Sequence, residues 1–383
     1  MSQLKVDTIR HTSASSDAIT LASDGTATAK ITNPPPGNRN LIINGAMNIW
    51  QRGNGPYTIA YDYTADRWGR NFSLTGSDYF HIAKSTDSPD GFSSSLEASC
   101  GTAQATISAT HYAVLRYRIE GQDLQHLKTG TANAVKTTLS FWAKTNAANS
   151  GDTYSVCIGH NDVSGNDRFQ HRTFTPTSTW QKFTMTFDGQ TAISIRNDNG
   201  YGLQLFFFLA AGSSKVNSAT TTWGATGEKG VTGQSNFFDS TSNEFFVTGV
   251  QLEVGDYATD FEHRSYGDEL VKCQRYYYFA GGFNSTDVIG EGRMNTTTAC
   301  NWNTRFPVEM RATPTLDHTN GSNYYAVYSD NAVAYFDGAI SHQNSGKTSY
   351  WASAATDSSF TQGHGTSIRS NNASAYVAFS AEL

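Results

Sequence analysis

FFVTGVQLEVGDYATDFEHRSYGDELVKCQRYYYF, residues 245–279, changes its periodicity halfway along. Phe246, Val250 and Leu252 share one parity, with Gly249 and Gln251 on the other, the alternation of a half-buried strand. From Ser265 onward the spacing is helical: Tyr266, Leu270, Cys273 and Tyr277 recur every three to four residues. Ser265 with Asp268 three places on supplies a helix start, because a serine oxygen accepts an orphan N–H and a carboxylate suits the positive end. The stretch predicts a strand that closes one folded unit and a helix that leads into another. A helix of about 13 residues is marginal alone. Leu270, Cys273 and Tyr277 are therefore expected to pack on a sandwich or on the same helix of a neighbouring subunit.

Upstream, residues 1–33 read as short strands around the turn Asp24-Gly25, too small to bury a core of their own. Pro34, Pro35 and Pro36 form a stiff spacer. From Asn40 the chain is a series of short alternating strands. Leu115, Tyr117 and Ile119 share a face, as do Val135, Leu139 and Phe141; Tyr154, Val156 and Ile158; and Phe183, Met185 and Phe187. In LFFFLAA (205–211) both parities are apolar, which predicts a strand covered on both faces. Downstream, TRFPVEMRATPTL (304–316) reads as an edge strand bracketed by prolines, followed by YYAVY (324–328), AVAYF (332–336) and AYVAFSAEL (375–383). The expected fold is all-β. A short N-terminal attachment segment with its linker (1–38) precedes a jelly-roll β-sandwich (39–264), a short helical junction (265–279) and a smaller C-terminal β-sandwich (280–383).

Bulk composition narrows the function. Of 383 residues only 16% are charged while 13% are aromatic, and the mean hydropathy is −0.46. The polarity comes from Ser, Thr, Asn and Gly, which fits β-rich surface proteins, and the aromatic content argues against disorder. A net charge of −6 gives no reason to bind nucleic acid. The apolar run at 205–211 is far short of the roughly 20 residues needed to span a bilayer, so membrane insertion is not expected. The N-terminus lacks the apolar core of a secretory signal, so synthesis in a cytoplasm is expected. Cys100, Cys157, Cys273 and Cys300 are widely spaced and read as buried thiols rather than zinc ligands or a disulfide framework.

Catalytic signatures are weak. Gly346-Lys347-Thr348 lacks the first glycine of a phosphate loop, with Ser341 in its place, and Gly363-His364-Gly365 has Ile368 where a dinucleotide fingerprint needs a third glycine. DVSGND (162–167) has calcium-like oxygen spacing without the distal glutamate and reads as a turn. Glu253, Asp256, Asp260 and Glu262 gather near the closing strand and read as a solvated acidic turn. No catalytic residue, metal or cofactor is expected. The aromatics of the C-terminal third are the stronger signal. Trp302, Tyr324, Tyr325, Tyr328, Tyr350 and Trp351 sit among Asn, Asp and Gln, and flat rings beside hydrogen-bonding groups suit sugars, whose C–H faces stack while their hydroxyls bond. These six are the candidate glycan-binding residues.

RNLIINGAMNIWQRG (39–53) with YDYTADRWGR (61–70) resembles the opening of a jelly-roll domain of bacteriophage tail fibres. The stretch 245–279 resembles that domain's closing strand and exit, and FPVEMRATPT (306–315) with AFSAEL (378–383) is similar to the module that follows it. QLKVDTI (3–9) and ITLASDGTAT (19–28) resemble N-terminal segments of marine phage structural proteins. The resemblance implies a virion protein, a homotrimer attached to other virion proteins through residues 1–33, that meets host glycan or lipopolysaccharide without catalysis. A tail fibre or spike is the leading expectation, with a head fibre or capsid decoration protein and a polysaccharide depolymerase as alternatives. The first domain is also similar to carbohydrate-binding jelly-rolls, which often carry adjacent aspartates that hold a structural calcium. Thr248 and Gly249 stand at that place here, so the resemblance does not extend to a calcium site.

Overall fold

The closing strand Glu244–Val254 lies at the centre of a five-stranded sheet, ordered by strands starting at Gln181, Thr137, Glu244, Ser95 and Phe80. Facing it is a six-stranded front sheet, ordered from Thr220–Gly224 through Arg168–Phe174, Tyr154–His160, Tyr201–Ala211 and Tyr112–Glu120 to Gly69–Ser73. The chain is thus all-β, with an antiparallel jelly-roll sandwich as its first module. This computed structural model describes residues 38–58, 63–74, 79–162, 164–218, 220–225, 227, 229–283 and 287–383, with 6–10, 12–13, 19–21, 23 and 27–29 of the N-terminal segment. The described N-terminal residues form three short paired strands at Thr8–Ile9, Ile19–Leu21 and Ala27–Ala29. Pro34, Pro35 and Pro36 lie outside the described residues.

Between the sheets, Leu115, Tyr117, Leu139, Phe141, Val156, Phe187, Leu205 and Phe207 form one core with Trp68. The outer face of the front sheet is covered as well, as the double apolar parity of 205–211 predicts. Val114, Cys157, Phe169, Phe206 and Phe208 form a second buried cluster there. Part of the segment after residue 212 folds over it: Ser155 Oγ bonds Gln234 Oε1 at 2.5 Å, and Gln234 Nε2 donates to Phe208 O at 3.4 Å.

The parity read for the closing strand needs one correction. Val250 and Leu252 face the core, but Phe246 points to the opposite face, against Trp180 and beneath Lys144. The register with the neighbouring strand shifts between Thr248 and Gln251, and Gly249 at φ 61° is the bulged residue. A bulge inserts one residue and flips everything beyond it.

The second module stacks a narrow three-stranded sheet, Tyr277–Gly282, Tyr376–Ser380 and Thr315–His318, on a broad seven-stranded one. Trp302, Tyr325, Phe336, Tyr350, Ile368 and Phe379 fill the space between. The expected edge strand 304–316 is corrected too. Thr304 and Arg305 end the strand Ala299–Arg305, residues 306–314 have no strand, and Thr315–His318 begins a separate strand that pairs with Tyr376–Ser380. The irregular segment sends Arg311 towards the first module, where its guanidinium donates to Asn199 O (3.0 Å), Ala381 O (2.6 Å) and Glu382 O (2.8 Å).

The junction helix runs Tyr266–Gln274, capped by Ser265, whose oxygen accepts from Asp268 N at 3.1 Å. It is shorter than expected. Tyr277 belongs to the next strand, and of Leu270 and Cys273 only Cys273 is fully buried. Glu269 ties the helix to the first module through Asn44 N and Arg264.

Past the helix the modules meet at a seam built from buried charges. Arg67, at φ 71°, pairs with Glu382, lies 3.5 Å from the ring centre of Tyr276 and donates to Arg118 O at 2.5 Å. Arg52 bonds Glu382 at 3.3 Å and lies 3.5 Å over Tyr277. Glu120, fully buried, accepts from Nε and Nη2 of Arg275 (2.7 and 2.8 Å) and from the hydroxyl of Tyr276 (2.6 Å). Burial pushes the Glu120 carboxyl up, and the bonds from Arg275 and Tyr276 outweigh it, so it stays below its ordinary value. Removing one member of such a network strands its partner in a dry site. The two modules are thereby locked.

Candidate functional site

The broad sheet places the predicted aromatics in two classes. Trp302, Tyr325 and Tyr350, at 2%, 0% and 4% exposure, are core residues and offer no face to a ligand, which corrects their assignment to glycan contact. Tyr350 packs on Phe379, and Tyr325 stacks on Phe336 with centroids 5.0 Å apart. Trp351 is 44% exposed, and Tyr328 and Tyr324 are half-buried. Tyr324 lies just before its strand and packs against the core of the module.

Trp351 and Tyr328 stand in one line. Successive opposed pairs across the sheet are Asn344 with Trp351, Trp351 with Asn303, Asn303 with Glu291, Glu291 with Ser367, Ser367 with Tyr328, and Tyr328 with Val333. Directly opposed residues share a face, so this row crosses the full width of the sheet on its outer side. None of these side chains is buried. Four strand spacings separate Tyr328 from Trp351, about 19 Å at ~4.8 Å each. Between the two rings lie an amide, a carboxylate and a hydroxyl. The Arg369 guanidinium sits 4.5 Å over the Tyr328 ring and fixes its plane. Exposed Arg293 and Arg305, two positions from the row on their strands, add positive charge beside it.

Such a row can stack two flat ligand units at its ends and hydrogen-bond the groups between them. Glu291, Asn303, Asn344 and Ser367 escaped sequence reasoning because only register brings them together. A usable signal existed within single strands: Trp351 has the parity of Ser349 and Ser353, whereas Tyr350 has that of Ala352 and Ala354.

The acidic turn of the first module is an internal clasp. Glu253 accepts from Thr259 N (2.8 Å) and Gln251 Nε2 (2.8 Å), and Glu262 accepts from Arg39 N (3.1 Å), Asn40 N (2.7 Å) and Arg264 (3.0 Å). Among the described residues no group of three potential metal-ligating side chains is found.

No protein-family model matches the chain, and no curated protein matches it. Among solved structures it is similar over 57% of its length to the enzymatically active domain of tailspike protein 4 of bacteriophage CBA120, at 14% identity and TM-score 0.33. It spans 22% of that chain. It is also similar, over 54% of its length and 97% of the other, to a family 11 carbohydrate-binding module from Clostridium thermocellum, at 14% identity and TM-score 0.28. A CBM22-1 xylan-binding domain from Paenibacillus barcinonensis matches over 49% and 87% of the two lengths, at 9% identity and TM-score 0.26. At these TM-scores none of the likenesses carries a ligand or an activity over to this chain.

Proposed function

We propose that the chain is a non-catalytic adhesion protein of a bacteriophage particle, a tail fibre or spike, that holds host-surface glycan on the outer face of its broad sheet. The observation that carries this reading is the transverse row from Tyr328 to Trp351, in which two accessible aromatic rings bracket Ser367, Glu291 and Asn303. The likeness of residues 39–53 and 61–70 to tail-fibre jelly-rolls supports the place in a virion. The seam supports a role under mechanical tension, since it joins the modules through the Arg67–Glu382 and Arg275–Glu120 pairs, whose carboxylates are buried, rather than a free linker.

Energetics favour several copies. A shallow site of millimolar affinity supplies about 4 kcal/mol, too little to hold a particle alone. Linked copies raise avidity by about 10²–10⁴ without new contacts. A homotrimer anchored through residues 1–33 meets that need.

The full chain should be retained on immobilised host lipopolysaccharide or capsule, and Trp351→Ala should lower retention at least tenfold. Equal retention of the variant would remove the row from the proposal. Incubation with the same polysaccharide should release no new reducing ends; steady release would favour a depolymerase instead. Light scattering should give three chain masses, and labelled particles imaged by electron microscopy should show the protein on the tail rather than the capsid.

A further inference from the structure

The seam also encloses a cleft of about 400 Å³ with walls from both modules. The turn Arg52–Tyr57 forms one side; Tyr277, Phe283, Asp317 and Tyr376 form the other. Its rings are ordered: Phe283 stacks on Phe279 with centroids 5.2 Å apart and planes 10° apart, and Tyr376 lies 5.4 Å from Phe283. Its carboxylate is ordered too. Asp317 Oδ1 accepts from the Tyr376 hydroxyl at 2.9 Å and Oδ2 from the Tyr277 hydroxyl at 3.1 Å. Each oxygen keeps acceptor capacity, because an ionised carboxylate offers about four lone-pair sites.

Phe283 is the telling residue. It is 48% exposed and sits at φ 57°, the left-handed region that bulky side chains avoid. Exposure of a large apolar ring and a disfavoured backbone are two costs at one position, and such costs concentrate where a ligand is clamped.

The charges restrict what fits. The guanidinium of Arg52 is already engaged by Glu382 and by the Tyr277 ring, and Asp317 would repel an anion. A purely apolar ligand would cut the remaining lone pairs of Asp317 off from water and leave them unused. A ring with an apolar C–H face and hydroxyls at its rim satisfies both surfaces. We propose that the cleft binds one neutral pyranose unit, stacked on Phe283 and Tyr376, with its hydroxyls donating to Asp317 and to main-chain carbonyls of the turn Gly53–Gly55. The proposal shares with the broad-sheet reading only the class of ligand; the residues are separate.

Saturation-transfer NMR on the full chain with the methyl glycosides of glucose, galactose and mannose tests it. At least one should bind saturably in about the millimolar range. Phe283→Ala, a surface change, and the near-isosteric Asp317→Asn should each weaken that binding at least tenfold, and Lys136→Ala, on the exposed surface of the first module, should leave it within twofold. The cleft proposal fails if no glycoside saturates the wild type or if Phe283→Ala leaves binding unchanged. It also fails if choline binds in the glycosides' place and is lost in Asp317→Asn, since that would mark a cation site. Loss in Trp351→Ala with Phe283→Ala unchanged would place the glycoside on the broad-sheet row and overturn the cleft; the row itself is judged separately, by retention on lipopolysaccharide or capsule.

Discussion

The front sheet of the first module and the broad sheet of the second are both antiparallel, yet they use their outer faces in opposite ways. On the front sheet, Phe206, Phe208, Val114 and Cys157 are sealed under the chain's own segment, and at the other end Arg118 and Glu120 are taken up by the seam. On the broad sheet, the row from Asn344 to Val333 stays open. One sheet is therefore committed to holding the molecule together, and the other keeps a surface for something outside it. Residues that set stability and residues that set recognition should separate along that line.

The sharpest way to break this contrast is at the seam. Arg67→Ala should cost about 3 kcal/mol, because it takes the nearer of two cations from buried Glu382, leaving only Arg52 at 3.3 Å, and removes the cation over the Tyr276 ring. Urea denaturation followed by tryptophan fluorescence should show a lower midpoint and a split into two transitions. A single unshifted transition would mean that the modules do not depend on this contact.

Acid should pull two buried groups in opposite directions. His160, packed 4.4 Å from Trp223, is pushed by burial from near 6.5 to about 3. The unfolded chain binds that proton more readily, so stability falls as pH drops from 6.5 towards 3, by up to about 1.4 kcal/mol per unit. Asp66 at the seam is raised by burial from 3.8 to about 6, against the pull of Arg52 and Gln51. Here the folded state holds the proton more tightly, so stability is gained as pH drops from 6 to 3.8, at the same limiting slope. Asp66→Asn should therefore lose about 2 kcal/mol more than wild type between pH 6.5 and 4.5, and His160→Phe should lose about 2 kcal/mol less. Urea midpoints at the two pH values measure both; parallel acid profiles for all three proteins would contradict the assignment.

Gly249→Ala tests the bulge. A Cβ there would lie 2.6 Å from the Phe92 ring on a backbone at φ 61°, which should cost about 1–3 kcal/mol of unfolding free energy. A neutral outcome would mean that the register can slip without penalty. Trp351→Ala is the smallest stability effect, within about 0.5 kcal/mol. That near-neutrality, read as an unchanged melting temperature beside lost glycan retention, is what the contrast requires of an exposed ring.

Much of the fold was legible because alternation is local. Leu115, Tyr117 and Ile119, or Tyr154, Val156 and Ile158, declare their face without knowledge of the rest. The reading failed where one residue changed the rule. Gly249 turned Phe246 outward, and the segment between Pro307 and Pro314 left the strand pattern to carry Arg311 across the seam. The candidate site was half visible. Composition marks Trp351 and Tyr328 but marks Tyr350 and Trp302 equally, and only the parity of neighbouring residues separates the outward rings from the buried ones. The seam was hidden for a different reason. Arg67 and Glu382 stand 315 positions apart, and nothing local marks either as the other's partner.

Strand Tyr376–Ser380 lies in the middle of the narrow sheet, between strands that begin at Tyr277 and Thr315. On a translating ribosome this fixes an order of events. Both sheets of the first module can close as soon as Glu244–Val254 has emerged, in keeping with the tendency of domains to fold as units from the N-terminus. The second module must wait for more than a hundred further residues, with Tyr277–Gly282 and Thr315–His318 unpaired until Tyr376–Ser380 arrives. Glu382, reaching Arg52 and Arg67, then joins the contacts that Arg275 and Arg311 make with Glu120 and Asn199 of the first module.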